Sequence, residues 1–228
     1  MEKVENLVPF SGIDKRKAPD YNRGERKVTK MEKKFAQAIL TERLCLRPFR
    51  REDAADYFAF AKLKDLGRNA GWKPHESIRE SRYVVNQYHK EGNVLAITLK
   101  GEDRAVGTVG LHADDRRPGF GSLMLGYTLS PDYRHRGIAT EATRALVKDA
   151  FERLLMPMIT AYCYPENTAS AKVLERNGFV YEGKLRRGFL LYDGSEQDLL
   201  CYSLTREEYA GLDLLNIDKY QCKNGEEK

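Results

Sequence analysis

Residues 127 to 140, Tyr-Thr-Leu-Ser-Pro-Asp-Tyr-Arg-His-Arg-Gly-Ile-Ala-Thr, carry an apolar strand through a basic, glycine-bearing turn straight into an amphipathic helix. The first N–H groups of a helix have no partner inside it and carry partial positive charge. A turn that delivers them around a phosphate therefore makes an anion site. Arg134 and Arg136 add full charges, Gly137 lets the backbone approach a ligand closely, and Ala139 keeps its position small. The segment reads as a pyrophosphate cradle.

Periodicity sets this unit in a mixed α/β chain. Arg43 to Phe49 alternates as a strand, Glu52 to Leu66 reads as a helix broken at Gly67, and Ser77 to Glu91 as a second helix with Ser77 and Glu80 spaced for a capping box. Val94 to Lys100 and Ala105 to His112 form a hairpin about Gly101 to Asp103, and Gly121 to Ser130 is a near-continuously apolar strand. Thr140 to Leu155 sets Ala142, Ala145, Leu146, Ala150 and Leu154 on one helical face, and Pro157 stops it. Met158 to Tyr164 is a strand, and Thr168 to Arg176 a short helix closed by Asn177-Gly178. Phe179 to Leu185 and Gln197 to Leu204 close the chain as a hairpin through Asp193-Gly194.

Arg134-x-x-Gly137-x-Ala139 resembles the acyl-coenzyme A pyrophosphate motif of the GNAT N-acetyltransferases: Gln or Arg, two residues, Gly, one residue, Gly or Ala. Asn167-Thr-Ala-Ser-Ala-Lys-Val-Leu-Glu-Arg-Asn-Gly178-Phe179 resembles that family's second cofactor segment, at the expected distance downstream. Leu40 to Phe49, followed by Glu52-Asp53-Ala54, is similar to the first strand and helix of the branch that acetylates the N-terminal amine of bacterial ribosomal proteins. The resemblance spans residues 40 to 210. It implies an α/β (α+β) GNAT fold, with a mixed, mostly antiparallel central sheet of about seven strands flanked by about four helices and splayed between the fourth and fifth strands. It also implies acetyl-coenzyme A as acyl donor and a small-molecule or peptide amine as acceptor, with a ribosomal protein among the candidate substrates.

By the same resemblance, the pantetheine arm lies between the strands Met124 to Leu129 and Met158 to Tyr164. Backbone groups near Thr128 and Leu129 would pair with it, and one N–H would polarise the thioester carbonyl, a contribution of roughly 2.7 to 4 kcal/mol. Arg134, His135, Arg136, Gly137, Ile138, Ala139 and Thr140 would hold the pyrophosphate, Asn167 the pantetheine amides, and Ser170 would protonate the leaving thiolate. Spacing alone equally makes Asn167 an N-cap with a first-turn hydroxyl after it, and residues 123 to 129 a buried strand. Two positions depart from the family. The general-acid Tyr that many members carry seven residues after the Asn is Leu174, and the Glu that the ribosomal-protein branch can place nineteen residues after the Ser is Phe189. Glu166, His112, Asp114, Tyr162 and Tyr164 are the remaining candidate bases, each also readable as a surface carboxylate, loop residue or core phenol. Trp72 either walls the acceptor pocket or plugs the core beneath a loop.

The net charge of +5 invites a nucleic-acid reading, and its location argues against one. Residues 1 to 40 hold ten Lys or Arg against six Asp or Glu, which leaves 29 against 28 in the rest. No basic stripe interleaved with aromatics is present, so no DNA partner is expected. Residues 1 to 38 read as a basic, poorly ordered extension, 39 to 212 as the acetyltransferase domain and 213 to 228 as a tail, with Met31 a conceivable alternative start. With no stretch of 18 apolar residues and no apolar signal-peptide core, a cytoplasmic chain without a membrane partner is expected, as monomer or homodimer. Cys45, Cys163, Cys201 and Cys222 show no metal-ligand spacing and read as reduced thiols. The rival functional class is a catalytically weak coenzyme A sensor or ribosome-associated module.

Overall fold

Among the described residues, eight strands form one open sheet: β1 (Ile39–Leu40), β2 (Leu44–Pro48), β3 (Val94–Leu99), β4 (Gly107–Ala113), β5 (Leu123–Leu129), β6 (Met158–Cys163), β7 (Val180–Leu190) and β8 (Glu196–Thr205). Helices are α1 (Ala54–Ala61), α2 (Lys64–Ala70), α3 (Ile78–Glu91), α4 (Ile138–Glu152), α5 (Thr168–Arg176) and α6 (Arg206–Gly211). The computed structural model describes residues 35 to 212. The strand order is β1-β2-β3-β4-β5-β6-β8-β7, and every neighbouring pair is antiparallel except β5 with β6.

That exception creates the site. Parallel neighbours need a crossover, and α4 supplies it between β5 and β6. The β5–β6 ladder holds Leu123 against Ile159, Met124 against Thr160 and Leu125 against Ala161, and ends there. β5 nevertheless runs on to Leu129, paired along its whole length with β4 on the other side. From Gly126 onward the two strands diverge and leave a wedge in the middle of the sheet.

The sheet is covered on both faces, which explains the near-continuous apolar runs in its central strands. On β3, Leu95 and Ile97 join the core beneath α4, with Ile138, Ala142, Leu146 and Ala150 from that helix at four-residue spacing. Val94 and Ala96 face the other way, into a second core with Phe49, Tyr57, Phe60, Trp72, Val84 and Tyr88.

The structure departs from the sequence expectations in identifiable places. The two-residue β1 raises the strand count from seven to eight. The helix expected over 52 to 66 is two helices: Leu63 takes an extended conformation and starts α2, and Gly67 lies inside α2 rather than breaking it. A Cβ at Gly67 would come within 2.9 Å of the Trp72 carbonyl oxygen, so glycine serves a close approach there. The expected Ser77 capping box does not form: the Glu80 carboxylate accepts from the Glu76 N–H at 3.1 Å, and the Ser77 side chain caps no amide. α4 begins at Ile138 and ends at Glu152, before Pro157 is reached. β7 runs five residues past Leu185, through a register shift between Leu185 and Phe189. Phe35 falls within the segment expected to precede the domain, yet it is 2% exposed and belongs to the larger core. Residues 1 to 34 of the basic extension, Met31 among them, and the tail from 213 with Cys222 lie outside the described residues.

Candidate active site

The turn after β5 is a 3-10 segment, Pro131–Tyr133, that hands the chain to Arg134, His135 and Arg136, all exposed. Gly137 then caps α4 with φ +73°, a left-handed conformation that favours glycine. The Glu141 N–H, bonded to the Gly137 carbonyl at 3.0 Å, is the first α4 amide with a carbonyl inside the helix. The amides of Ile138, Ala139 and Thr140 precede it at the positive end of the helix.

The wedge opens into a cleft of about 610 Å³ lined by β5, the turn, the start of α4, the end of β6 and α5. Of the residues picked from sequence, Thr128, Leu129, Arg134, His135, Gly137, Ile138, Ala139, Thr140, Asn167 and Ser170 stand together on its wall. Arg136 does not. Its carbonyl accepts from the Arg43 guanidinium at 2.9 Å, and its own guanidinium lies 5.5 Å from the Tyr133 ring centre. Trp72 also lies off this wall. It is 8% exposed within the second core, and its indole N–H donates to the Ala61 carbonyl at 3.3 Å, so the structure places it as a core plug.

A carboxylate fixes the cradle to the sheet. Glu141 accepts from the Thr41 hydroxyl at 2.6 Å, from the Arg43 N–H at 3.0 Å and from the Arg43 guanidinium at 2.6 and 2.7 Å. Burial would push the Glu141 carboxyl up, but Thr41 and Arg43 together outweigh it and hold the group below its usual value. A lowered folded value means that the tie is at full strength above pH 4.5 and is lost as pH falls through the folded pKa. Glu141→Gln is accordingly expected to lower stability at neutral pH by about 1 kcal/mol, screened because Arg43 is half-exposed, and to flatten the acid limb of a Tm-against-pH curve.

Asn167 caps α5: its side-chain oxygen accepts from the Ser170 N–H at 3.2 Å. The structural reading of that spacing therefore holds, while both residues also face the cleft. The Ser170 hydroxyl is 2.8 Å from the Tyr127 hydroxyl, which also donates to the Ser170 carbonyl at 3.1 Å. Burial pushes the Tyr127 phenol well up and the Cys163 thiol up to about 11, so both keep their protons at neutral pH. Sequence reading missed Tyr127, Lys172, Arg176 and Asn69 on the cleft wall. Lys172 and Arg176, four apart on α5, could have been found as one basic helix face.

The candidate bases separate. Glu166 is exposed. Burial lowers His112 to about 4, which leaves it neutral near pH 7. Among the described residues the buried Tyr164 hydroxyl has no hydrogen-bond partner, and its ring meets Phe189 at 6.1 Å. Tyr162 lines the cleft, and its hydroxyl donates to the Asp114 carboxylate at 3.1 to 3.2 Å.

Comparisons with known proteins agree with this geometry. The family model described as acetyltransferase (GNAT) domain matches residues 43 to 180. The uncharacterized N-acetyltransferase p20 of Bacillus licheniformis is 31% identical over 180 residues, 77% of this chain and 99% of that one. The [ribosomal protein uS5]-alanine N-acetyltransferase of Escherichia coli is 26% identical over 187 residues, 75% of this chain and 92% of that one. The crystal structure of a GNAT-family acetyltransferase from Bacillus anthracis superposes with a TM-score of 0.68 at 26% identity, covering 75% of this chain and 99% of that one. With its wedge-opened sheet, its Arg134 to Thr140 turn and a family model matching more than half its length, the chain belongs to the GNAT acetyltransferase family.

Proposed function

We propose that this chain is an acetyl-coenzyme A-dependent N-acetyltransferase that moves the acetyl group to a primary amine by direct attack in a ternary complex. The observation that carries this reading is the wedge between β5 and β6, onto which the N-terminal ends of both α4 and α5 open. The α4 amides and Arg134 offer an anion site at one end of the cleft, and the backbone of Gly126 to Leu129, without a β6 partner, offers strand-like pairing along its floor. These residues fit the donor's two halves, a pyrophosphate and an extended arm carrying amides. The donor supplies an activated acetyl thioester.

The chain's residues then position and polarise. Holding the amine against the thioester is worth up to roughly 7 to 11 kcal/mol in effective molarity. A backbone N–H near Thr128 or Leu129 polarises the carbonyl, and Ser170 gives a proton to the departing sulfur. Cys163, its thiol protonated at neutral pH, is not poised as a nucleophile, in keeping with a route without acyl-enzyme.

The relative named for uS5-alanine acetylation makes a protein N-terminal amine the first acceptor class to test. An α-amine with pKa about 7.7 to 8.0 is partly neutral at pH 7, whereas a lysine amine near 10.4 must find about 4.6 kcal/mol to lose its proton. The rival reading, a coenzyme A-binding module with little turnover, draws on the apolar Leu174 and Phe189 standing where family members carry an acid and a base. Free-thiol release with acetyl-coenzyme A separates the two, using peptides beginning with Ala or Ser, and spermidine. Amine-dependent release is expected. Binding with only slow, amine-independent hydrolysis would favour the module, and no binding by the folded protein would overturn both.

A further inference from the structure

We propose that Tyr162 and Asp114 form the proton path on the acceptor side of the cleft: Tyr162 takes a proton from the acceptor's ammonium while passing its own to Asp114. The inference rests on the N-acetyltransferase reading above and supplies the base that the sequence lacks at Phe189.

Strand alternation assigns the two faces of the wedge. Ile159, Ala161 and Cys163 of β6 point into the core beneath α4, the side on which Ser170 and Tyr127 meet. Thr160 and Tyr162 point to the opposite face. Tyr162 is the first β6 residue after the ladder with β5 ends, so its side chain stands where the two strands part. The amine adds to the carbonyl carbon from outside the thioester plane while the sulfur lies in that plane, so the proton leaving nitrogen and the proton reaching sulfur are handled at separate points. Tyr162 and Ser170 both line the cleft, on opposite faces of the sheet, and can serve one each.

Asp114 follows β4 and is 6% exposed. One carboxylate oxygen accepts from the Arg116 N–H at 3.1 Å and from Tyr162 at 3.2 Å, and the other from the Thr160 hydroxyl at 2.7 Å and from Tyr162 at 3.1 Å. The Arg116 guanidinium lies 4.8 Å from the Tyr162 ring centre and donates to the Gly188 carbonyl at 2.9 Å, which pins the phenol in place. Burial first, then the Asp114 charge, keep the Tyr162 phenol protonated, which suits a group that relays a proton rather than stores a charge. The charged and titratable groups around the pair are Arg116 and Arg117 on its own loop, His112 on β4, Cys201 on β8, and Glu182 on β7, which pairs with Arg117.

The step balances. The ammonium loses one proton through Tyr162 to Asp114, the neutral nitrogen forms the C–N bond as the C–S bond breaks, and the sulfur takes a proton from Ser170. The second nitrogen proton, shed as the amide forms, restores Ser170 through solvent, and Asp114 returns its proton to water. Asp114 acts through Tyr162 and is a positioning residue.

The test compares wild type with Asp114→Asn and Tyr162→Phe in pH profiles of kcat/KM, using a peptide beginning with alanine and spermidine. Each variant is expected to lose about tenfold at pH 7 with the peptide, and about 100-fold with a more basic amine, because the deficit tracks the free energy of deprotonating each amine. Raising the pH past the amine's own pKa should close most of the gap. A loss equal at every pH and with both acceptors, or no loss at all, would overturn the proposal. Tyr162→Phe keeps the ring under Arg116 and carries the test if Asp114→Asn fails to fold. A wild type that binds acetyl-coenzyme A without amine-dependent thiol release would instead sink the acetyltransferase reading itself.

Discussion

Gly137→Glu is expected to weaken acetyl-coenzyme A binding by at least about 100-fold, or about 2.7 kcal/mol, in calorimetric titration of the folded protein. Two effects add. Gly137 caps α4 at φ +73°, where a residue with a Cβ costs about 1 to 2 kcal/mol. The new carboxylate would also stand beside the amides of Ile138, Ala139 and Thr140, competing for the positive helix end and repelling a pyrophosphate. Glu141 is one turn away and already committed to Thr41 and Arg43, so it cannot rearrange to relieve the new charge. Gly137→Ala isolates the backbone effect: the strain lowers stability by about 1 to 2 kcal/mol, and it costs up to about tenfold in Kd where the free turn relaxes from the left-handed conformation that binding needs. Unchanged binding by a folded Gly137→Glu protein would remove the cradle from the site.

The turn and helix start over 131 to 140 were legible because their determinants are local. A proline-led turn, a glycine at the helix start and a four-residue apolar repeat from Ile138 to Ala150 each act within one or two turns of chain. The splay between β5 and β6 was legible by resemblance, since no residue in either strand announces that its ladder stops at Leu125 and Ala161. The hydroxyl contacts lining the cleft were not legible. Tyr127 and Ser170 are 43 positions apart, and Asp114 and Tyr162 are 48 apart. No spacing rule joins residues whose meeting depends on how four strands and a helix assemble. Trp72 shows the same limit from the other side: an aromatic in a polar loop segment carries no mark of which face it will take, and tertiary packing against Tyr57 turned it inward. β7 outran its expected end at Leu185 because pairing with β8 lapses there and resumes at Phe189.

Ser170→Ala is expected to lower kcat by about 100-fold while leaving acetyl-coenzyme A affinity and the KM for the amine little changed, the pattern of an interaction made only as the C–S bond breaks. The helix start should survive, because Asn167 caps the backbone N–H of residue 170, not its hydroxyl. The family's alternative acid position offers no substitute: Leu174 is 1% exposed in the core beneath α4, and a phenol there would have to displace neighbours. Tyr127 is the nearest other proton, 2.8 Å from the Ser170 hydroxyl, and burial holds it in the neutral form. As a phenolate it would be costly in that setting, so the neutral phenol holds Ser170 in place through the hydroxyl contact at 2.8 Å and the Ser170 carbonyl at 3.1 Å. Tyr127→Phe should then reduce kcat by about tenfold, the cost of one buried hydrogen bond, and Ser170→Thr should restore most of what Ser170→Ala removes. If Ser170→Ala retained full kcat, the hydroxyl pair would be a packing feature of α5 against β5, and the sulfur would have to take its proton from water or from the attacking nitrogen.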